Sequence, residues 1–357
     1  MCPHQKNVVV HGLICFAVSL VFATSAAAQT PLVQWTFDET AGGTVNAADT
    51  GAAPATDGIF GASATRTSDT PGGQAGFSVD LSATGASSIV DGGDSAEVDG
   101  LSQFTLSTWA KVTGATHYNE GGSVNVRLLS KQTGGVFDGF SWNLNAPAIP
   151  PGSNNNFRMG LFVGGANGFN FAFLDTDIVD RGGEWLFLAV TYDGTAGADN
   201  TRFYLGDENN PVAQIGSTVS IPSGQVNPAA ARFGIGFTDA AAAADTALTG
   251  YQDDTRVYGS ALDLATLEQV RLENLPDQGL AGDFNGDGKV DAADYVVWRR
   301  GLGTTHTLEQ YDDWRGNFGE MLPGGGSAIG RVPEPSVFVL LATGLAGLAV
   351  GGRKVWR

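Results

Sequence analysis

Short apolar or alternating runs, each closed by Gly, Asn, Asp or Pro, recur along residues 32–258 and set the limits on what this chain can fold into. They fall at 32–37, 104–112, 126–130, 140–144, 157–163, 169–174, 185–192, 202–205, 231–237 and 250–258. Side chains alternate between faces along a strand, so a period of two bounded by turn residues describes strands with one buried side. Apolar residues at helical spacing are almost absent before residue 260, and the crossover helices that join neighbouring parallel strands therefore have no place to form. The expected fold is mainly β, an antiparallel sandwich. In Phe140-Ser141-Trp142-Asn143-Leu144 and Phe169-Asn170-Phe171-Ala172-Phe173, aromatic residues alternate with small or polar ones, which makes one face of each strand strongly apolar. Trp109, Trp142 and Trp185 each sit in such a strand and are expected to pack between two sheets.

The two ends have a different character. Residues 1–28 carry Lys6, an apolar run from 13 to 23 and then Ala26, Ala27 and Ala28. That order is expected of a secretory signal peptide cleaved after Ala28. Cys2 and Cys15 both fall inside it, so the exported chain is expected to have no disulfide, no thiolate metal ligand and no cysteine nucleophile. The net charge is −18, from 37 acidic against 19 basic residues. Such a surface repels nucleic acid and attracts divalent cations.

At the other end, Pro333-Glu334-Pro335 precedes an apolar run from 337 to 350 and then Arg353, Lys354 and Arg357. This resembles the PEP-CTERM sorting signal, with its Pro-Glu-Pro box, transmembrane helix and basic tail. The resemblance implies an exosortase-type processing enzyme as partner and delivery to the cell envelope or outer surface. It also implies transient membrane anchoring through the C-terminal helix, with the basic residues kept on the cytoplasmic side. In that family, export accompanies exopolysaccharide production. Residues 321–331, rich in Gly, read as a flexible linker before the 332–357 segment.

Residues 31–276 resemble the concanavalin A-like, laminin-G-type jelly roll family. Four ordered motifs carry the likeness. They are Trp35-Thr36-Phe37-Asp38-Glu39, Phe104-Thr105-Leu106-Ser107-Thr108-Trp109, the run from Trp185 to Gly194, and the run from Gly250 to Tyr258. The resemblance implies a jelly-roll sandwich that recognises a carbohydrate or an extracellular matrix component. Members often hold a structural calcium where the first and last strands meet, and here Asp38 and Asp254 stand in the matching motifs. The alternative is that Asp38 caps a turn and Asp254 pairs with Arg256. His117, Tyr118, Asn119 and Asn155 lie in polar loops and are candidate ligand contacts. Hydrolases on this fold commonly bring two carboxylates to one cleft from a Glu, any residue, Asp, two residues, Glu pattern. No such pattern occurs, and the histidines are too few and scattered for a triad. The expectation is a binding protein rather than an enzyme.

The densest chemical motif is Asp283, Asn285, Asp287, Lys289, Asp291 and Asp294. These are positions 1, 3, 5, 7, 9 and 12 of an EF-hand loop, with Lys289 offering its carbonyl and Gly288 the sharp turn at 6. The expected ion is Ca2+. Residues 280–320 resemble a dockerin, because Tyr295, Trp298 and Arg299 are echoed by Tyr311, Trp314 and Arg315. The stretch before the second helix lacks a ligand series, so the module resembles a degenerate dockerin with one ion. The resemblance implies a cohesin-like partner on the helices, against the plainer reading that Trp298 and Trp314 pack together in a calcium-stabilised spacer. Function is accordingly expected to be non-catalytic binding of an exopolysaccharide or matrix component. A structural coat protein and an assembly component are the rivals, and a polysaccharide hydrolase or lyase stands behind them.

Overall fold

The structure is a computed structural model describing residues 29–39, 47–52, 54–83, 88–113, 125–134, 136–145, 156–176, 178–179, 183–237, 239, 248–276, 280–308 and 310–321. Its strands begin with β1 (Val33–Trp35), β2 (Ile59–Phe60), β3 (Thr65–Thr67), β4 (Ser78–Asp80), β5 (Val90–Asp91), β6 (Gln103–Val112), β7 (Asn125–Gln132) and β8 (Gly139–Asn145). They continue with β9 (Asn156–Gly165), β10 (Gly168–Phe173), β11 (Ile178–Val179), β12 (Trp185–Asp193), β13 (Thr201–Asp207), β14 (Ala213–Val219), β15 (Phe233–Ile235) and β16 (Gly250–Tyr258). Helices α1 (Leu264–Glu273), α2 (Ala292–Gly301) and α3 (Gln310–Gly316) follow. The chain divides into two compact units between Arg271 and Leu272.

In the first unit, one sheet runs β14-β13-β12-β6-β16-β4-β3 with β1 added on β16. The other runs β10-β9-β8-β7-β15-β5-β2 with β11 added on β9. Neighbours are antiparallel throughout, as in the pairing of Leu188 with Thr108 and of Trp142 with Leu161. The sheets face each other across one apolar core. Phe104, Leu106, Leu188, Val190 and Tyr192 enter it from the first sheet, and Phe140, Trp142, Leu144, Leu161 and Val163 from the second. Phe104 stacks on Phe140 across the gap at 5.3 Å between ring centroids. Trp35, on the first strand, reaches Phe233 of the opposite sheet at 5.2 Å.

The strand register corrects one expectation about the tryptophans. Trp142 belongs to the core between the sheets. Trp109 pairs with Phe187, and both lie on the side of their strands opposite the core residues Leu106 and Leu188. The two rings meet edge to face at 5.6 Å, buried on the outer side of the first sheet. Trp185 shares that side and donates from Nε1 to Asp69 at 2.9 Å. Alternation along a strand separates two faces without saying which one meets the partner sheet.

Helix α1 starts where Asp263 accepts from the backbone N–H and hydroxyl of Thr266, the geometry of an N-cap. It is tied to the sheet by Arg271, whose Nη1 donates to the carbonyl of Asp207 at 2.7 Å.

The second unit is small and helical. Tyr295 and Trp298 of α2 interleave with Tyr311 and Trp314 of α3: Tyr295–Trp314 is 5.2 Å and Trp298–Tyr311 is 5.1 Å between centroids. Each tryptophan thus packs on the tyrosine of the opposite helix. Each indole also donates to the chain that leads into the other helix, Trp298 to Thr307 at 2.9 Å and Trp314 to Asp291 at 2.7 Å. Among the described residues no helix is long and apolar enough to cross a membrane. The expected signal peptide (1–28) and the sorting and anchor segment (332–357) lie outside the described residues.

Candidate functional site

Cross-strand partners share a face, and the register of β7 to β10 writes out the side of the second sheet turned away from the core. One row reads Gln132, Gly139, Gly164, Phe169; the next, Ser130, Ser141, Phe162, Phe171; the third, Arg127, Asn143, Gly160, Phe173. A bulge between Arg127 and Leu129 keeps Arg127 on this side. The half formed by β7 and β8 is polar, and the half formed by β9 and β10 is aromatic.

The aromatic half is exposed. Phe171 is 53% accessible, and Phe137, from the turn before β8, borders the same patch. Phe162 stacks on Phe171 at 5.1 Å and on Phe169 at 6.0 Å, and Phe173 meets it edge-on at 5.5 Å. Glycine makes room for this layer: a Cβ on Gly160 would stand 2.5 Å from the Phe173 ring. A contiguous exposed ring surface of this kind marks a binding face more often than a scattered apolar residue does. The expectation that these strands each have one apolar face holds, yet β8 turns its aromatics inward and β10 turns Phe169, Phe171 and Phe173 outward.

The polar half is buried. Ser141 and Asn143 are fully inaccessible and Arg127 is 7% exposed. Arg127 Nη1 donates to Ser141 Oγ at 2.8 Å and to Asn143 Oδ1 at 2.7 Å. Ser141 Oγ also donates to Asn143 Oδ1 at 2.8 Å, so that end of the amide is the oxygen. Among the described residues, two donors then remain without an acceptor, Arg127 Nε and Asn143 Nδ2. Each unmet buried donor costs about 1–3 kcal/mol. No carboxylate pairs with Arg127 among the described residues, and its guanidinium lies 5.9 Å from the Phe162 ring. Burial pushes its pKa down to about 10, which leaves it charged at neutral pH. Neither Arg127 nor Asn143 stands out in the sequence; the signal lay in strand register, which only the fold supplies.

At the junction of the first and last strands, Asp254 is buried and its carboxylate is spanned by Arg256, with Nε–Oδ1 at 2.8 Å and Nη2–Oδ2 at 2.7 Å. Gln34 Nε2 adds a third donor to Oδ1 at 3.0 Å. Asp254 and Arg256 are thus paired, and a cation bound to Asp254 would have to displace the guanidinium. Asp38 accepts the Phe77 N–H at 2.9 Å. Its carboxyl is raised above the usual range, first by burial and then by the charge of Glu39, with Asp254 adding a smaller share against the Phe77 hydrogen bond. Phe37 and Asp254 both take positive φ, 62° and 43°, so the closure of the sandwich is locally strained.

The acidic loop of the second unit winds around its own amides. Asp283 accepts from the N–H groups of Gly286, Asp287 and Gly288, and Asp287 from Lys289. Asp294 is fully buried and accepts from Asn285 and Asp291. Asp291 caps α2 through the Ala293 N–H. Gly286 and Gly288 take φ of 70° and 79°, values that a side-chain-bearing residue rarely adopts. Lys289 bridges Met321, and Val290 is buried beneath the loop. Among the described residues no three acidic or histidine side chains already converge as a cation cluster. The corresponding turn before α3 closes on itself: the N–H groups of Thr304, Thr305 and His306 all point to the Gly301 carbonyl.

His117, Tyr118, Asn119 and Asn155 lie outside the described residues, as do Pro333, Glu334 and Pro335.

No family model matches this chain, and no curated protein matches it. Among solved structures, the binding domain of Paraclostridial mosquitocidal protein 1 is 11% identical over 68% of this chain and 51% of that chain, with a TM-score of 0.44. The botulinum neurotoxin serotype G binding domain is 12% identical over 68% and 51%, at 0.40. A Trypanosoma rangeli sialidase in complex with sialic acid is 15% identical over 73% and 36%, at 0.42. The chain thus spans about half the length of the neurotoxin-type domains it matches. At these scores the fold assignment rests on the strand pairing itself.

Proposed function

We propose that this chain is an exported, envelope-sorted, non-catalytic binding protein whose jelly-roll sandwich takes a carbohydrate on the β7–β10 face. One observation carries the reading: stacked phenyl rings, with Phe171 exposed, form a contiguous patch on the side of the sheet turned away from the core. Sugar rings offer an apolar face that packs on aromatic carbon. The exposed Phe171 supplies the platform.

The dockerin-like unit is read as a Ca2+ module. Side-chain oxygens of Asp283, Asn285, Asp287, Asp291 and Asp294 and the Lys289 carbonyl would hold the ion, a donor set of hard oxygens suited to it. The bound ion would supply fixed positive charge and tie the loop to α2. The buried carboxylate of Asp294 supports this reading, since a cation would offset the cost of keeping it dry. A cohesin-like partner on α2 and α3 remains part of the proposal, as does exosortase processing of the 332–357 segment.

The test is a panel of polysaccharides in affinity electrophoresis with the full exported chain, with and without chelator. Retardation by at least one polysaccharide, weakened tenfold or more by Phe171→Ala, is expected. No retardation by any member would refute the carbohydrate reading in favour of a structural coat protein.

A further inference from the structure

β10 is the last strand of the second sheet, and among the described residues nothing pairs with its outer side. We propose that two copies of this chain join there edge to edge, β10 against β10 in antiparallel, with Phe171 opposite the partner's Phe171 and Phe169 opposite the partner's Phe173. The pairing makes one sheet of two and extends the phenyl platform across the junction. It stands apart from the carbohydrate reading, because backbone pairing carries it.

The phase of this edge is fixed by its hydrogen bonds. The Leu174 N–H donates to the Met159 carbonyl at 2.8 Å, one step beyond the pairing of Phe173 with Gly160. Hydrogen-bonded and non-bonded pairs alternate along an antiparallel ladder, so Asn170 and Ala172 also bond to β9, and Phe169, Phe171 and Phe173 turn their N–H and C=O groups outward. Native edges are ordinarily blunted by shortness, charge, proline or a bulge, and the other three ends of the two sheets show such devices. β2 has two residues, and β3 has three with Arg66 among them. β14 carries Gly216 at φ 62° within the stretch where its register against β13 shifts. β10, by contrast, runs Gly168-Phe169-Asn170-Phe171-Ala172-Phe173 in unbroken register, with no charge and no proline. What fits it is an extended backbone with a ring at every second residue, and β10 itself is such a strand. A two-fold axis through Phe171 sets outward groups against outward groups and gives every ring a ring opposite, the kind of cross-strand pair that stabilises a sheet. A chain of net charge −18 repels its own copies, and an uncharged strand is where two of them can approach.

Residues 29–357 contain no cysteine, so single substitutions in the full exported chain, held in detergent, report the register. Hydrogen-bonded partners across an antiparallel pair lie about 5.5 Å apart at Cα, within the disulfide reach of roughly 4.4–6.8 Å. Phe171→Cys is expected to give a disulfide-linked dimer on oxidation with diamide. Phe169→Cys and Phe173→Cys, each about 13 Å from its own counterpart, should stay unlinked alone and cross-link when mixed. Sedimentation velocity of the unaltered chain should show a dimer that strengthens as salt rises from about 0.05 to about 0.5 M and screens the repulsion. Phe171→Lys, which sets like charges opposite each other, should weaken that dimer about tenfold or more. A monomer at both salt concentrations with no linkage at position 171 overturns the proposal and leaves the edge to an extended segment of another protein. A dimer unmoved by Phe171→Lys overturns the β10 assignment, and equal linkage of all three single variants overturns the register in favour of unordered aggregation. Should Phe171→Cys fail to fold, the mixed Phe169→Cys and Phe173→Cys chains decide the matter. None of these outcomes involves a polysaccharide, so the carbohydrate reading stands or falls separately.

Discussion

The β7–β10 face and the 283–294 loop treat buried polarity in opposite ways. In the loop, carboxylate oxygens gather and are partly satisfied by the loop's own N–H groups, as Asp283 is by Gly286 and Gly288. On the face, donors gather and two of them find no acceptor among the described residues. The loop is thus short of positive charge and the face is short of negative charge. The loop is built from twelve consecutive residues, whereas the face is built from strands whose partners are far apart in sequence. Local polar sites are written in spacing; sites on sheets are written in register.

The comparison can be broken most forcefully from beneath the face. Trp142→Ala, which opens a cavity between the sheets directly under Asn143, is expected to cost about 3–5 kcal/mol, read as a lowered denaturant midpoint. If the two units are independent, the calcium response of the second should persist in this variant. Next in size, Asp283→Ala combined with Asp287→Ala should abolish stabilisation by calcium. That stabilisation is about 2.7 kcal/mol at a hundred times the dissociation constant, and scanning calorimetry with and without chelator measures it. Polysaccharide binding by the sandwich should be unchanged, and a parallel loss would mean that the two sites act together.

A subtler contrast concerns Asn143. Asn143→Ala removes the acceptor that holds Arg127 and should destabilise the fold by about 1–3 kcal/mol. Arg127→Met deletes the unpaired charge itself and should be close to neutral or stabilising. Equal losses from both would show that the guanidinium itself contributes to folding. The smallest effect is at the start of α1. Asp263→Ala should cost about 1 kcal/mol at neutral pH. Hydrogen bonds from the Thr266 side chain and backbone lower the Asp263 pKa below 3.8. The stabilisation is therefore present above the unfolded pKa and lost as pH falls through the lower folded value. The variant and the parent should converge in acid, which paired urea titrations would detect.

Much of the fold could be read beforehand, for physical reasons that also explain the gaps. The long strand β9 sends Phe157, Met159, Leu161 and Val163 into the core, so selection for burial writes a period of two into it. β14 carries no such record because most of its residues are exposed at the end of its sheet. The two-residue strands β2, β5 and β11 are too short to show any period. The pairing of Asp254 with Arg256 depends on whether that arginine folds back upon it, which spacing does not decide. Arg127 was illegible because a lone arginine in a strand reads as an exposed edge. Its burial depends on rows assembled from three other strands.

The reciprocal indole bonds of the second unit give it a mechanical character. Trp314, on the far helix, holds the carbonyl of the residue that caps the near one, and Trp298 returns the grip at Thr307. Neither helix can peel away without unfastening the other, so the pair should open as a single step. Because Asp291 is also a member of the acidic loop, any shift in that loop pulls on α3 through one hydrogen bond. A ring fastened to the loop's backbone is thereby made a reporter of its state.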